Sequence, residues 1–224
     1  MGFTTATLCI NDQEDIKTLE PKIINYLNMA AAKMMIDNKC SEIWFGDTSP
    51  AWITQLQQKL YSLRNAITDK EHSIEIFGPH QLTDSGRILT DYSPLRYLEY
   101  HCNRAELPDE IRNPIHGQCD RYYHRHVPGK PYMIMLSPGW YYAPMTRHNT
   151  APTVSPTALR YPPHTRYSKF HILIHGLTHL ILDTYDIMDN YSNCASLAVS
   201  SMANAKINSD NWAFFVEDAA LYSC

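Results

Sequence analysis

Two histidines four residues apart, in His175-Gly-Leu-Thr-His179, lie within a largely apolar run from Phe170 to Leu182. On an α-helix this spacing stacks both imidazoles on one face, one turn apart, where both can bind a single Zn²⁺. The H-E-x-x-H pattern uses that spacing, with its Glu activating a zinc-bound water. Here the Glu position is Gly176. A glycine inside a helix costs roughly 1 kcal/mol against Ala, so a close approach of backbone or ligand is its expected reason. The metal-binding half of the pattern survives and the base does not. Without a metal, the same pair would be two partly exposed, hydrogen-bonded imidazoles. His171 extends the row by a turn, but it lies eight residues from His179, about 12 Å along the axis. It is therefore expected to pack behind the ligands rather than join them.

A chain of 224 residues with 44% apolar composition is long enough for one well-filled core. One domain over residues 1–224 is expected. A net charge of −4, with no basic block, gives no electrostatic case for nucleic acid or an anionic membrane surface. No apolar run approaches transmembrane length, so no membrane span is expected. The opening Met1-Gly-Phe-Thr-Thr lacks a basic and an apolar region, and reads as a mature secreted chain behind a supplied Met-Gly. The cysteines, Cys9, Cys40, Cys102, Cys119, Cys194 and Cys224, are even in number and scattered. That pattern predicts three structural disulfides in an extracellular protein, with 15 possible pairings.

Apolar spacing predicts a helix from Asp15 to about Ile36, broken near Pro21, and a second opened by Ser49 as cap and Pro50, with its stripe at Trp52, Ile53, Leu56, Leu60, Leu63 and Ile67. Short β-type runs follow at His72–Phe77, Arg96–Cys102 and Tyr132–Leu136. Residues 147–166, rich in proline, predict a long loop. Helices are expected again at Ser168–Asp183, Asn193–Asn204 and Ser209–Tyr222. His124 and His126, beside two tyrosines, predict a solvated loop, and Trp140-Tyr141-Tyr142 a groove wall, a partner surface or core packing. Asn190-Tyr-Ser192 is a glycosylation triplet.

The sequence around the histidine pair resembles the deuterolysin-like aspzincins, secreted zinc peptidases that include lysine-specific metallo-endopeptidases. There the motif is followed by G-T-x-x-D-x-x-Y-G, whose Asp is the third zinc ligand and whose Tyr stabilises the transition state. Asp183-Thr-Tyr-Asp186-Ile-Met-Asp189-Asn-Tyr191-Ser-Asn-Cys194 corresponds to that segment. Aligning Thr184 and Asn193-Cys194 puts Asp186 at the ligand position and Asp189 at the Tyr position. A gap placed elsewhere makes Asp189 the ligand and gives Tyr191 the Tyr role. Asn208-Ser-Asp210-Asn-Trp-Ala213-Phe-Phe-Val-Glu217-Asp is similar to a later family helix, and Trp44-Phe-Gly46 and Tyr100-His-Cys102 match recurring triplets. The resemblance reaches nearly the whole chain, apart from the Cys119 region and the proline-rich loop.

The departures cluster at the chemistry. Gly176 cannot move a proton, and Asp189 in place of a phenol would repel an oxyanion. In lysine-specific members an acidic pair on the later helix meets the substrate lysine. Asp210 keeps one half of it for substrate binding, and Ala213 has lost the other. The resemblance also suggests pairing Cys9 with Cys102.

The expected fold is α+β and zincin-like, mostly helical with a small β-sheet, disulfide-stabilised. The expected function is that of a secreted zinc-binding peptidase homologue, with Zn²⁺ held by His175, His179 and Asp186. Degenerate in catalysis, it would act by binding a protein, a peptide or zinc. The alternatives are an active zinc endopeptidase that recruits Asp189 or Asp183 as base, and a metal-free interaction domain on the same fold. On the resemblance, restoring the carboxylate by Gly176→Glu alone is expected to raise activity.

Overall fold

The computed structural model describes residues 2–5, 10–68, 74–77, 132–136, 144–146 and 167–221. Elements are numbered among these. Helix α1, Ile10–Lys33, carries its buried stripe of Ile16, Leu19, Ile23, Leu27 and Ala30 straight past Pro21. The break expected there does not occur. Pro21 faces solvent, so the carbonyl that loses its helical partner can be hydrated while the apolar face stays continuous.

A short α2, Lys39–Phe45, ends at Gly46, whose left-handed φ of 67° lets its N–H close on the Glu42 carbonyl. A Cβ there would sit 2.3 Å from the Ala198 carbonyl oxygen, so the position demands glycine twice over. Helix α3, Pro50–Thr68, begins as expected, with the Trp52 N–H donating to Ser49 Oγ. It buries Trp52, Leu56, Leu60, Leu63 and Ile67.

Three parallel strands form one small sheet: β1, Phe3–Thr4, pairs with β2, Ile74–Phe77, which pairs with β3, Tyr132–Met135. Ile74 and Ile76 of β2 and Ile134 of β3 are fully buried, as is Leu136 just beyond it. The strand expected at Arg96–Cys102, the proline-rich loop, His124, His126 and the Trp140 cluster lie outside the described residues.

The second half is helical: α4, Lys169–Leu182, α5, Tyr191–Ser200, α6, Met202–Ile207, and α7, Ser209–Leu221. The single helix expected over Asn193–Asn204 is two, because Ser201 adopts extended backbone and caps α6 by accepting from the Asn204 N–H. Helix α7 packs against α4 and α1, and α2 lies against α5 and α7. Where they meet, Trp44, Phe45, Trp52, Trp212, Phe214 and Phe215 interlock at ring separations of 4.9 to 5.3 Å for four of their pairs, which adds edge and stacking attraction to area burial. This cluster fixes α7 against the helix that carries the histidines. Among the described residues, no helix is long and apolar enough to cross a membrane.

Cys40 is disulfide-bonded, whereas Cys194 is a free, buried thiol. The other four cysteines lie outside the described residues. The expectation of six oxidised cysteines fails at Cys194, which hydrogen-bonds the Met188 carbonyl and accepts from Asn208 instead of facing another sulfur. Burial pushes its thiol well above the ordinary range, so it is inert as a nucleophile. An even count says nothing about where each sulfur lies. With one of six unpaired, five remain, so a monomer must keep at least one more thiol. Thiol titration of denatured, unreduced protein should therefore return two or more free thiols; fewer than two would show Cys194 paired.

Candidate metal centre

Helix α4 starts at Ser168, whose side chain accepts from the His171 N–H, and ends at Asp183 in the left-handed conformation. That reversal turns the chain back along the helix. Tyr185 then forms a one-residue parallel bridge with Asn208: its N–H donates to the Ile207 carbonyl at 2.7 Å and its carbonyl accepts from the Ser209 N–H at 3.0 Å. The buried Asn208 amide finishes the loop, accepting from the N–H groups of Ile187 and Met188 and donating to the Met188 carbonyl. Asp186 is thus carried to the histidine face by backbone and amide bonds on both sides of it.

There, His175 Nε2 lies 2.9 Å from His179 Nε2, and Asp186 Oδ1 lies 3.0 Å from the latter and 3.1 Å from the former. The other ring nitrogens are committed. His179 Nδ1 donates to the Thr184 carbonyl at 2.7 Å, and His175 Nδ1 donates to Asp210 Oδ1 at 2.6 Å, since a carbonyl or carboxylate can only accept. With both imidazoles neutral, both Nε2 atoms therefore turn lone pairs towards the Asp186 oxygen. Three acceptors within about 3 Å repel one another unless a cation or a proton lies among them.

The charges agree. Burial pushes His175 down, but the adjacent Asp210 and Asp186 outweigh it and raise it to about 9. Burial together with the neighbouring His175 keeps His179 below its ordinary value despite its bond to Asp186. Burial acts to raise both Asp186 and Asp210, and their imidazole partners more than reverse it, leaving each well below the carboxylate range. For zinc with ligand bonds of ~2.0–2.1 Å, a tetrahedron has edges of about 3.3–3.4 Å. Opening the triangle by a few tenths of an ångström accommodates that, so the donor set fits the ion.

Of the residues singled out in sequence, His175, His179 and Asp186 come together. Asp189 and Asp183 are solvent-facing and belong to neither carboxylate–imidazole group among the described residues. Tyr191 turns its hydroxyl to Asp218 and its ring onto Trp44 and Phe214, so its phenol serves the core. Asp210, expected at a substrate, is nearly buried and bonds His171, His175 and Tyr167. His171 does stand behind the ligands.

Gly176 is explained by a close approach, though to a side chain rather than a ligand. A Cβ at this position would lie 3.1 Å from Ile134 Cγ2 and 3.3 Å from both Cγ1 and Cδ1. Where the H-E-x-x-H carboxylate would begin, β3 has placed a β-branched side chain.

Sequence reasoning passed over Tyr167, Asn208, Ser209 and Thr184. Ser209 Oγ lies 2.9 Å from His179 Nε2 and from Thr184 Oγ1. Of the four, Thr184 carried a signal as the residue that anchors the alignment, and Asn208 and Ser209 as the opening of the segment resembling the later family helix; Tyr167 carried none.

Compared by sequence, the chain matches no family model and no curated protein. Compared by structure, it is similar to a zinc peptidase from Grifola frondosa, at a TM-score of 0.58 and 14% identity, over 96% of this chain and 99% of that one. At that identity the likeness establishes the fold: this chain is built, over nearly its full length, as that zinc peptidase is.

Proposed function

We propose that this protein is a zinc-binding homologue of the aspzincin peptidases, secreted, poor in catalysis, and acting by binding. The observation that carries the reading is the convergence of His175 Nε2, His179 Nε2 and Asp186 Oδ1 while both Nδ1 atoms are engaged elsewhere. Three protein ligands leave a fourth position open. Zinc bound there would supply Lewis acidity towards a carbonyl oxygen. The chain's own contribution stops at holding the ion. Gly176 offers no proton acceptor, and Asp183 and Asp189 stand outside the group. Loss of a general base typically removes 10²–10⁴-fold in rate, so a peptide in the cleft would be held far longer than it is cut.

Protein purified without added zinc should carry about one equivalent per chain by metal analysis, since the ligand triad is preformed. His175→Ala and His179→Ala should each remove it. Hydrolysis of casein and of lysine-containing peptides should be orders of magnitude slower than by an aspzincin peptidase with its motif glutamate intact. A folded wild type that stays metal-free in excess zinc would sink the zinc reading. Chelator-sensitive cleavage at a comparable rate would establish the active-peptidase alternative instead.

A further inference from the structure

We infer that Tyr167, His171 and Asp210 form a support that fixes His175 for the metal and sets the metal's affinity, and that Asp210 is thereby withdrawn from recognising a substrate. The inference rests on the zinc reading above and adds a role for three residues that do not touch the ion.

Asp210 is a carboxylate with three donors aimed at it. His171 Nε2 lies 2.9 Å and His175 Nδ1 2.6 Å from Oδ1, and the Tyr167 hydroxyl lies 3.2 Å from Oδ2. A carboxylate only accepts, so each of the three must present its hydrogen. That settles the His175 tautomer, with the proton on Nδ1 and the lone pair of Nε2 left for the metal.

The donors are themselves held. The His171 ring is wedged between Tyr167 and Phe214, at centroid distances of 4.7 and 4.3 Å. The Tyr167 oxygen accepts from the Asn190 N–H at 2.8 Å. Asn190 closes the loop that carries Asp186, so one phenol links the support behind His175 to the segment bearing the third ligand.

His171, His175 and Asp210 also lie close enough to be considered a metal group of their own. Their hydrogen bonding argues otherwise. Here two N–H groups meet one carboxylate oxygen and satisfy it, whereas at His175, His179 and Asp186 three acceptors meet. The first group is complete as it stands; the second takes a cation or a proton among its atoms. A substrate lysine would have to displace donors from a nearly buried carboxylate to reach Asp210.

Zinc affinity, measured by competition with a chromophoric chelator, tests this without reference to activity. Asp210→Asn should weaken binding 10–100-fold, the range typical of lost outer partners of a metal-ligating histidine. Tyr167→Phe removes only one hydroxyl and should weaken it several-fold. The double variant should bind no more weakly than Asp210→Asn alone, because the phenol acts through the carboxylate. Should Asp210→Asn fail to fold, Tyr167→Phe carries the test. Unchanged zinc affinity in a folded Asp210→Asn or Tyr167→Phe protein would overturn the inference. So would an Asp210→Asn protein that keeps its zinc affinity and loses binding of a lysine-containing peptide, for Asp210 would then be the substrate reader. Failure of the zinc reading looks different: the wild type itself takes up no zinc.

Discussion

Gly176→Glu combined with Ile134→Ala should gain chelator-sensitive peptide hydrolysis, while Gly176→Glu alone should gain little and lose stability. A side chain entering at residue 176 meets Ile134 at once, 3.1 Å from the new Cβ. Ile134 has little room to withdraw. It is fully buried, stiff at χ1, and paired across the sheet with the equally buried Ile76. Overpacking of this kind typically costs ~1–3 kcal/mol, and a carboxylate forced among isoleucines adds desolvation to it. Shortening Ile134 removes the obstacle, and the glutamate's methylenes refill part of the space. A base restored beside a zinc-holding triad is worth ~10²–10⁴-fold in rate. Casein and peptide assays with urea unfolding on the three variants decide the matter. A single variant as active and as stable as the double would show that Ile134 is no barrier. A double variant that folds, holds zinc and still does not cut would place the lesion elsewhere in the cleft.

Zinc affinity should fall about tenfold for each pH unit below 9, about a hundredfold between pH 9 and pH 7, through a single proton on His175. In the metal-free protein its ordinary value of 6.5 is raised to about 9, because two carboxylates outweigh the effect of burial. Asp186 and Asp210 stay ionised across that window and His179 stays low, so no second group competes. Stability follows pH differently in the two forms. A folded-state value raised above the unfolded one gives the metal-free protein a contribution fully present below about 6.5 and lost as pH rises through about 9. In the zinc-saturated protein the metal-bound His175 carries no proton and the unfolded one has lost its own above about 6.5, so stability should be nearly flat over the same interval, the growing zinc contribution offsetting that loss. Chelator titrations and thermal unfolding at pH 6.5, 8 and 9.5 would show both trends. Affinity that is flat with pH, or two protons released per zinc, would contradict the single-proton account.

What the sequence disclosed and what it hid separate by distance along the chain. Helices α3, α4 and α7 followed from local spacing and caps, as did the pairing of His175 with His179. Asp186 depended on resemblance, since the placing of the gap left Asp189 as a rival. The structure reaches Asp186 through Asn208, 22 residues further on, by bonds with no local signature. The glycine signalled a close approach but could not name Ile134, because strand-to-helix contacts across forty residues leave no periodicity. The surroundings of Asp210 were hidden for a related reason. Its helix position was evident, but its burial depends on Tyr167 and His171 arriving from another helix and its approach. Cysteine parity likewise counts sulfurs and is blind to their depth.

The two ends of the loop bearing Asp186 share a peculiarity. Asp183 and Asn190 are the only residues other than glycine with positive φ among the described residues, at 54° and 58°. Such backbone favours asparagine, aspartate and glycine, and penalises most other side chains. Between these ends, Ile187 and Met188 are held through their main-chain N–H groups, and their side chains reach into solvent. Neutral drift in this segment is therefore channelled. Its centre can change its chemical face with little effect on the fold, while its ends stay within a narrow alphabet. Substitutions at its centre can thus alter the surface around Asp186 and leave the shape of the loop unchanged.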